Sequence, residues 1–373
     1  MCFYLCLANL SQEYGNQIHN PRYKKQHKRT TLSILILRTT NQTLASIPMG
    51  IKHLNRYLMN QCSDRSISKR SLSEFSGKVV VIDTSIYLYK FVENGGLVEG
   101  LYSMISIFRK HNIIPLFVFD GKPPAEKKEL LDKRRREKRE AEYKYNELKT
   151  QMDEISNQTA VKELMGEMDA LKKQFVRITP AEIQIAKTLM TAYGVSYLES
   201  WGESDMLCAY LVRKNYAWAC ISDDMDMFLY GCPRVIRHMS MLNHTGVVYE
   251  TDAILTELGM TLETFRDIMV LSGTDYNIRE NTSLVETLRW YDEYSKTQRD
   301  LPFYEWLAKN TRYIRDKTHL EKTRAMFDMT MFPSIHNGEI RAIIDRLPFR
   351  NRPVDTKELR AILAEDGFLF LNP

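Results

Sequence analysis

No apolar run in this chain approaches the roughly 18 residues that a membrane-spanning helix needs, so no membrane anchor is expected. Cysteine is sparse. The six residues Cys2, Cys6, Cys62, Cys208, Cys220 and Cys232 show no paired ligand spacing. A reduced intracellular protein without a zinc site is expected. Proline is missing between Pro124 and Pro180, and glycine between Gly273 and Gly338. Acids are nearly missing from residues 1–48, where Glu13 stands against Arg22, Lys24, Lys25, Lys28, Arg29 and Arg38. Such a segment has three readings: an organelle transit peptide, a disordered basic arm, or sequence upstream of a functional start at Met49.

What is present is enough for a sizeable core. The 373 residues are 44% apolar, which allows two domains or one with a large insertion. Net charge is only +5, from 52 basic and 47 acidic residues, so clustering matters more than the sum. Val79-Val80-Val81-Ile82-Asp83 reads as a buried strand ending in an acid. Leu116-Phe117-Val118-Phe119-Asp120 repeats that pattern, and 195–198 and 218–221 are two further short strands. Helical spacing runs through 97–110. Thr179, Pro180 and Glu182 together form a helix-start signal for a stretch reaching about residue 193. Strands alternating with helices predict an α/β domain with a mainly parallel sheet, whose ligands bind beyond the carboxyl ends of the strands.

Residues 121–178 interrupt this alternation. A turn, Gly121-Lys122-Pro123-Pro124, leads into two long charged helical stretches, at about 126–150 and 153–175. The first is strongly basic, with Lys127, Lys128, Lys133, Arg134, Arg135, Arg136, Lys138 and Arg139. Lys127, Leu131, Arg134 and Lys138 fall on one helix face. The segment reads as an insertion projecting from the core, suited to phosphate; a solvated helical hairpin without a role is the alternative.

Seven acids sit at strand ends or helix starts: Asp83, Asp120, Glu203, Asp205, Asp224, Asp226 and Asp275. Each alone reads as a cap or a turn residue. As a set at one sheet edge they would repel and call for cations. Oxygen-only ligands suit Mg²⁺ or Mn²⁺ rather than zinc. Two such ions about 4 Å apart can activate water and stabilise a leaving oxygen of a phosphodiester.

Six segments, Met49-Gly50-Ile51-Lys52-His53-Leu54, Val81-Ile82-Asp83-Thr84-Ser85, Val118-Phe119-Asp120-Gly121-Lys122-Pro123-Pro124, Gly202-Glu203-Ser204-Asp205, Asp223-Asp224-Met225-Asp226 and Ser272-Gly273-Thr274-Asp275-Tyr276, resemble the flap endonuclease/XPG structure-specific nucleases in order and spacing. The resemblance implies a PIN-like α/β nuclease core over 49–276, with a helical arch at 121–178, a helical C-terminal region at 277–373 and 1–48 outside the functional protein. It implies hydrolysis of DNA at single-strand/duplex junctions with two Mg²⁺ ions, which Mn²⁺ can replace, as in 5′-flap endonucleases with 5′-3′ exonuclease activity in replication and repair. RNA, four-way junctions or a catalytically silent binding protein are the alternatives.

The same resemblance marks the seven acids as metal ligands, with Asp205 standing where the family usually has Glu. It marks Lys127 and Arg134 as a basic catalytic pair, and Gly50 and Tyr89 as DNA-binding; Lys128, Lys133, Arg135 and Lys138, in the basic stretch, are expected to bind DNA as well. Tyr89 has a core aromatic as its alternative. Two departures stand out. Asn277-Ile278-Arg279-Glu280-Asn281-Thr282-Ser283 replaces the family's Gly-x-Gly-Pro hairpin, which grips duplex phosphates. The closing Asp366-Gly367-Phe368-Leu369-Phe370-Leu371-Asn372-Pro373 lacks the Gln-led aromatic motif that binds the sliding clamp. A shortened, divergent member, such as a virus-encoded one, fits. A monomer acting in the nucleus or a viral replication compartment is expected, with mitochondrial targeting as the weaker option.

Overall fold

The computed structural model describes residues 51–152, 158–277, 282–297, 301–330 and 342–370. All lie in the second of the chain's two units, Ser46–Pro373. The expectations for the segment 1–48, for Met49 and Gly50, for 278–281 in the replaced hairpin and for 371–373 fall outside the described residues.

Seven strands form one sheet: β1 (Ile67–Ser71), β2 (Val79–Asp83), β3 (Ile114–Phe119), β4 (Ser196–Glu199), β5 (Ala219–Ile221), β6 (Arg234–Ser240) and β7 (Thr245–Glu250). Their order is β1-β7-β6-β5-β2-β3-β4. The run from β6 to β4 is parallel, and β7 and β1 add an antiparallel edge. The mainly parallel sheet expected from sequence is therefore present. The antiparallel edge is an addition that sequence did not announce.

Alternation along the central strands decides which side chains meet which layer. Val80 and Ile82, with Phe117 and Phe119, point into one core. Val81, with Leu116 and Val118, points into the other. Both faces are covered, which is why these strands read as continuous apolar runs. The first core is closed by α2 (Thr84–Glu93), α3 (Leu97–Lys110) and α6 (Pro180–Ala192). The second is closed by α1 (Leu54–Gln61), α7 (Ser204–Arg213), α8 (Thr251–Leu258) and α9 (Leu262–Leu271). At the start of α6 the Thr179 hydroxyl accepts from the Glu182 N–H, and Glu182 accepts from the Thr179 N–H, so the capping box is formed.

The insertion forms α4 (Lys128–Met152) and α5 (Gln158–Gln174), packed against each other. Tyr145 meets Phe175 edge-on at 5.4 Å, and Lys138 donates to the Val176 carbonyl at 2.7 Å. α4 buries only Leu130 and Ala141 along its 25 residues, so charge covers nearly all of it.

Further along, α10 (Leu284–Ser295) and α12 (Lys317–Met326) pack on α9, and α11 (Phe303–Asn310) packs on α10. The chain then returns to the opposite face. Arg352 N–H donates to the Gly194 carbonyl at 3.1 Å, and α13 (Thr356–Glu365) lies on α6. Among the described residues no helix is long and apolar enough to cross a membrane.

One glycine controls how the strand ends come together. Gly121 follows Asp120, and its N–H donates to the Gly202 carbonyl at 2.7 Å. A Cβ there would lie 2.0 Å from the Ser200 carbonyl oxygen, too close for any side chain. Gly121→Ala is expected to lower stability by about 1–3 kcal/mol, the usual cost of overpacking. Denaturant unfolding measures this, and an unchanged midpoint would contradict the close approach.

Candidate active site

Parallel strands in the order β5-β2-β3-β4 bring their carboxyl ends to one edge. Asp83 ends β2 and starts α2. Asp120 follows β3 directly. Glu203 and Asp205 stand at the start of α7, in the loop after β4. Asp224 and Asp226 belong to a 3-10 turn soon after β5. Asp275 lies beyond the end of α9. Five sequence-distant segments thus deliver the seven expected acids.

Hydroxyls stitch the first of them together. Ser204 Oγ lies 2.9 Å from Asp83 Oδ1 and 2.7 Å from Asp120 Oδ1, and the Ser204 N–H donates to Asp120 at 2.8 Å. Ser222 Oγ donates to Asp83 Oδ2 at 3.0 Å, and Ser85 Oγ donates to Asp120 Oδ2. A serine hydroxyl carries one proton, so it cannot donate fully to two carboxylates. A protonated Asp83 resolves this, by donating to Ser204 Oγ while Ser204 donates to Asp120.

Cations hold the others. Lys127 pairs with Glu203 and lies 3.7 Å from Asp275, and Arg134 donates to Asp275 at 3.0 Å. Tyr276 donates its hydroxyl to the second oxygen of Glu203. Asp224 accepts from the Asp226 N–H at 2.9 Å, which is the capping role open to any such aspartate.

The electrostatics follow from burial. Loss of water first, then the Asp120 charge, pushes Asp83 up to about 7, against the stabilising Ser204 hydrogen bond. Burial also raises Asp224, and lifts Asp205 and Asp226 well above the carboxylate range, helped by neighbouring acids. Burial opposes the charge on Lys127, but Glu203 and Asp275 outweigh it and raise its pKa. Two oxygens, Asp205 Oδ1 and Asp226 Oδ1, are sealed from solvent with no hydrogen-bond partner. Asp205 as a residue keeps partial exposure, so only that oxygen is stranded.

A buried carboxylate oxygen without a donor is costly, and a divalent ion would relieve it. The donor set fits a hard cation in kind, being all oxygen. Among the described residues, however, no three His, Cys, Asp or Glu side chains stand ready to hold a metal ion. Two of the seven acids, Glu203 and Asp275, are engaged by Lys127 and Arg134.

Residues 49–141 match the XPG N-terminal domain, and residues 194–275 match the XPG I-region. Both matches are to regions of the flap endonuclease/XPG family. A flap endonuclease 1 of Leishmania braziliensis is 29% identical over 250 residues, which cover 61% of this chain and 60% of that protein. One from Glycine max is 30% identical over 247 residues, covering 61% and 62%. The chain spans about three fifths of the length of the curated relatives it matches. The catalytic core of Rad2, solved with a DNA substrate, superposes with a TM-score of 0.56 at 20% identity, covering 85% of this chain and 95% of that one. That likeness shows a shared fold, the PIN-like α/β core expected from sequence.

Within this XPG-family frame the basic residues separate into groups. Lys127 lies in a 3-10 turn, Ala125–Lys127, leading into α4, rather than in the same α-helix as Arg134. Both nevertheless reach Asp275. Tyr89 is 44% exposed, so its alternative as a core aromatic is not realised. With Arg134, Arg135, Lys138 and Arg177 it lines a cleft of about 700 Å³, and Lys138 lies 4.9 Å above its ring. Lys128 and Lys133 are exposed and do not line this cleft; Lys133 stands 3.9 Å from Glu137.

Sequence reading missed Ser85, Ser204, Ser222 and Tyr276 as partners of the acids. Ser85, Ser204 and Tyr276 lay inside the quoted motifs, but no spacing rule marks a hydroxyl that bridges carboxylates. Arg177 was also missed; it pairs with Glu142 at 2.6 Å from beyond α5.

Burial makes an ionisation prediction. Asp83 titrates near 7 in the folded chain and near 4 when unfolded. The folded state therefore binds the proton more tightly, and the stability this adds is present at low pH and lost as pH rises through about 7. In chelator, the melting temperature is expected to fall from pH 5 to pH 8. Saturating Mn²⁺ should flatten the decline; a melting temperature that rises over this range in chelator would contradict it.

Proposed function

We propose that the chain is a divalent-metal-dependent, structure-specific 5′ nuclease that hydrolyses DNA at single-strand/duplex junctions. Its activity would be 5′-flap cleavage with some 5′-3′ exonuclease action, serving replication and repair in the nucleus. The observation that carries the reading is the meeting of Lys127 and Arg134 with buried acids at the carboxyl ends of parallel strands. The flap endonuclease relatives and the DNA-bound Rad2 core support the substrate class. The proposed domain division is 49–276 for the nuclease core, with the arch at 121–178, and 277–373 for the helical region.

Asp83, Asp120, Glu203, Asp205, Asp224, Asp226 and Asp275 are the proposed holders of two Mg²⁺ ions. Bound there, the ions would supply an acidified water for attack and countercharge for the leaving oxygen. The chain's own contribution is electrostatic. Arriving phosphate competes with Glu203 for Lys127 and with Asp275 for Arg134. Their transfer to the phosphate would offset its growing negative charge and free both carboxylates. Tyr89 would stack on a base beside the cleft, and Arg135, Lys138 and Arg177 would offset backbone charge. No covalent intermediate is needed.

A second reading, a binding protein without catalysis, draws on Asp205 in place of Glu and on the replaced glycine hairpin. Asn277 is locked inward there, accepting from the Thr274 N–H at 2.6 Å and donating to the Val270 carbonyl at 2.8 Å.

A Mg²⁺-dependent assay on a labelled 5′ flap, beside nicked, four-way-junction and RNA substrates, separates these readings. Asp224→Ala is expected to lose cleavage by at least about a hundredfold while DNA binding persists. Retained cleavage in that variant would refute the assignment. Arg134→Ala is expected to slow the single-turnover rate by about a hundredfold with a much smaller change in affinity. Duplex affinity should fall by about 0.9 log units per phosphate contact for each log unit of added salt, and a flat response would exclude the basic arch as the binding surface.

A further inference from the structure

A cleft of about 590 Å³ between α6 and α13 shares no lining residue with the basic cleft around Tyr89. Its walls are held in place. Asp355 N–H donates to the Ala192 carbonyl at 2.7 Å, so α13 begins where α6 ends and runs back along it. Leu359 and Leu363 of α13 sink into the same core as Ala186 and Leu189 of α6. Phe368, just past α13, meets Tyr102 of α3 edge-on at 5.7 Å.

The lining is apolar and acidic. Val98, Ile185, Ala361 and Ile362 supply the apolar part, and Ile185 is 41% exposed. Glu358, Glu365 and Asp366 supply the acids. Residues 358, 361, 362 and 365 share one face of α13, whereas Lys357 and Arg360 do not line the cleft; Arg360 lies 5.3 Å from the Phe370 ring instead. Among the described residues none of the three acids forms an ion pair. Burial first, then the charge of nearby Glu99, raises Asp366 above the ordinary carboxylate value. These charges repel phosphate, so neither DNA nor an anionic membrane fits here. An aliphatic partner that carries cations does. Two packed helices leave between them a groove that takes a third helix by its apolar face.

We propose that the α6–α13 cleft docks a basic amphipathic helix of a partner protein, with aliphatic side chains against Ile185 and Ile362 and Lys or Arg side chains against Glu358, Glu365 and Asp366. The inference goes beyond the nuclease reading and does not depend on it. The same chain would then present a basic cleft to nucleic acid and an acidic, apolar one to protein.

The test is fluorescence anisotropy of a labelled peptide, a designed helix with Leu on one face and Lys on the other, added to the full chain in EDTA without DNA. The parent is expected to bind it, and to bind a Ser-for-Leu version of equal charge at least about tenfold more weakly, since the apolar contact is gone. Glu365→Lys with Asp366→Lys is expected to weaken binding of the Leu/Lys peptide about tenfold, and Ile185→Ser about fivefold. Both reversals sit at the C-terminal end of α13, where the helix dipole favours cations, so the fold is kept. Glu293→Lys on α10, outside the cleft, is expected to leave binding within about twofold of the parent. The proposal is overturned if the parent does not bind the Leu/Lys peptide, or if the Ser-for-Leu version binds equally well. It is also overturned if neither cleft variant weakens binding, or if the Glu293 reversal costs as much as the pair in the cleft. None of these results touches the nuclease reading, which 5′-flap cleavage tests separately.

Discussion

Mutual repulsion among carboxylates at the carboxyl ends of β2, β3, β4 and β5 is the constraint on which the rest of the site depends. A parallel sheet places those ends side by side, and burial removes the water that would screen them. The protein answers with three kinds of relief. Serine hydroxyls and a backbone N–H hold Asp83 and Asp120. Lys127 and Arg134 hold Glu203 and Asp275. Protonation relieves Asp83, while Asp205 and Asp226 each keep an oxygen without a partner.

The arch takes its place within that balance. Its inner end supplies the cations that pair with Glu203 and Asp275. Under the proposed function, a phosphate and the carboxylates would compete for that one pair of side chains. Such competition would link the arrival of a phosphate to the release of the two carboxylates without any further moving part. Lys138 ties α4 to Val176 within the arch, and joins the arch to the core at the face of Tyr89. Access to Tyr89 therefore depends on a side chain from the opposite wall of the cleft.

Much of the nuclease core was legible in the sequence because its signals are local. The short β-branched run Val79–Asp83 reads as a strand buried on both faces, and Thr179, Pro180 and Glu182 carry a helix-start signal. The antiparallel edge was not legible. β1 (Ile67–Ser71) and β6 (Arg234–Ser240) carry basic and polar residues and become strands through pairing with β7, which no single segment reveals. The return of Arg352 to Gly194 was hidden for the same reason, since it joins residues far apart in the chain.

The sequence by itself determined the identity of the acids, the basic character of the arch and the family to which the motifs belong, because these reside in residue type and spacing. Only the tertiary structure decided which acid meets which partner: Asp275 with Arg134, Glu203 with Lys127 and Tyr276, Asp83 with Asp120 through Ser204. Charge pairing and burial are properties of distance and solvent access. Both come from strand order and layer packing, which no stretch of neighbouring residues encodes.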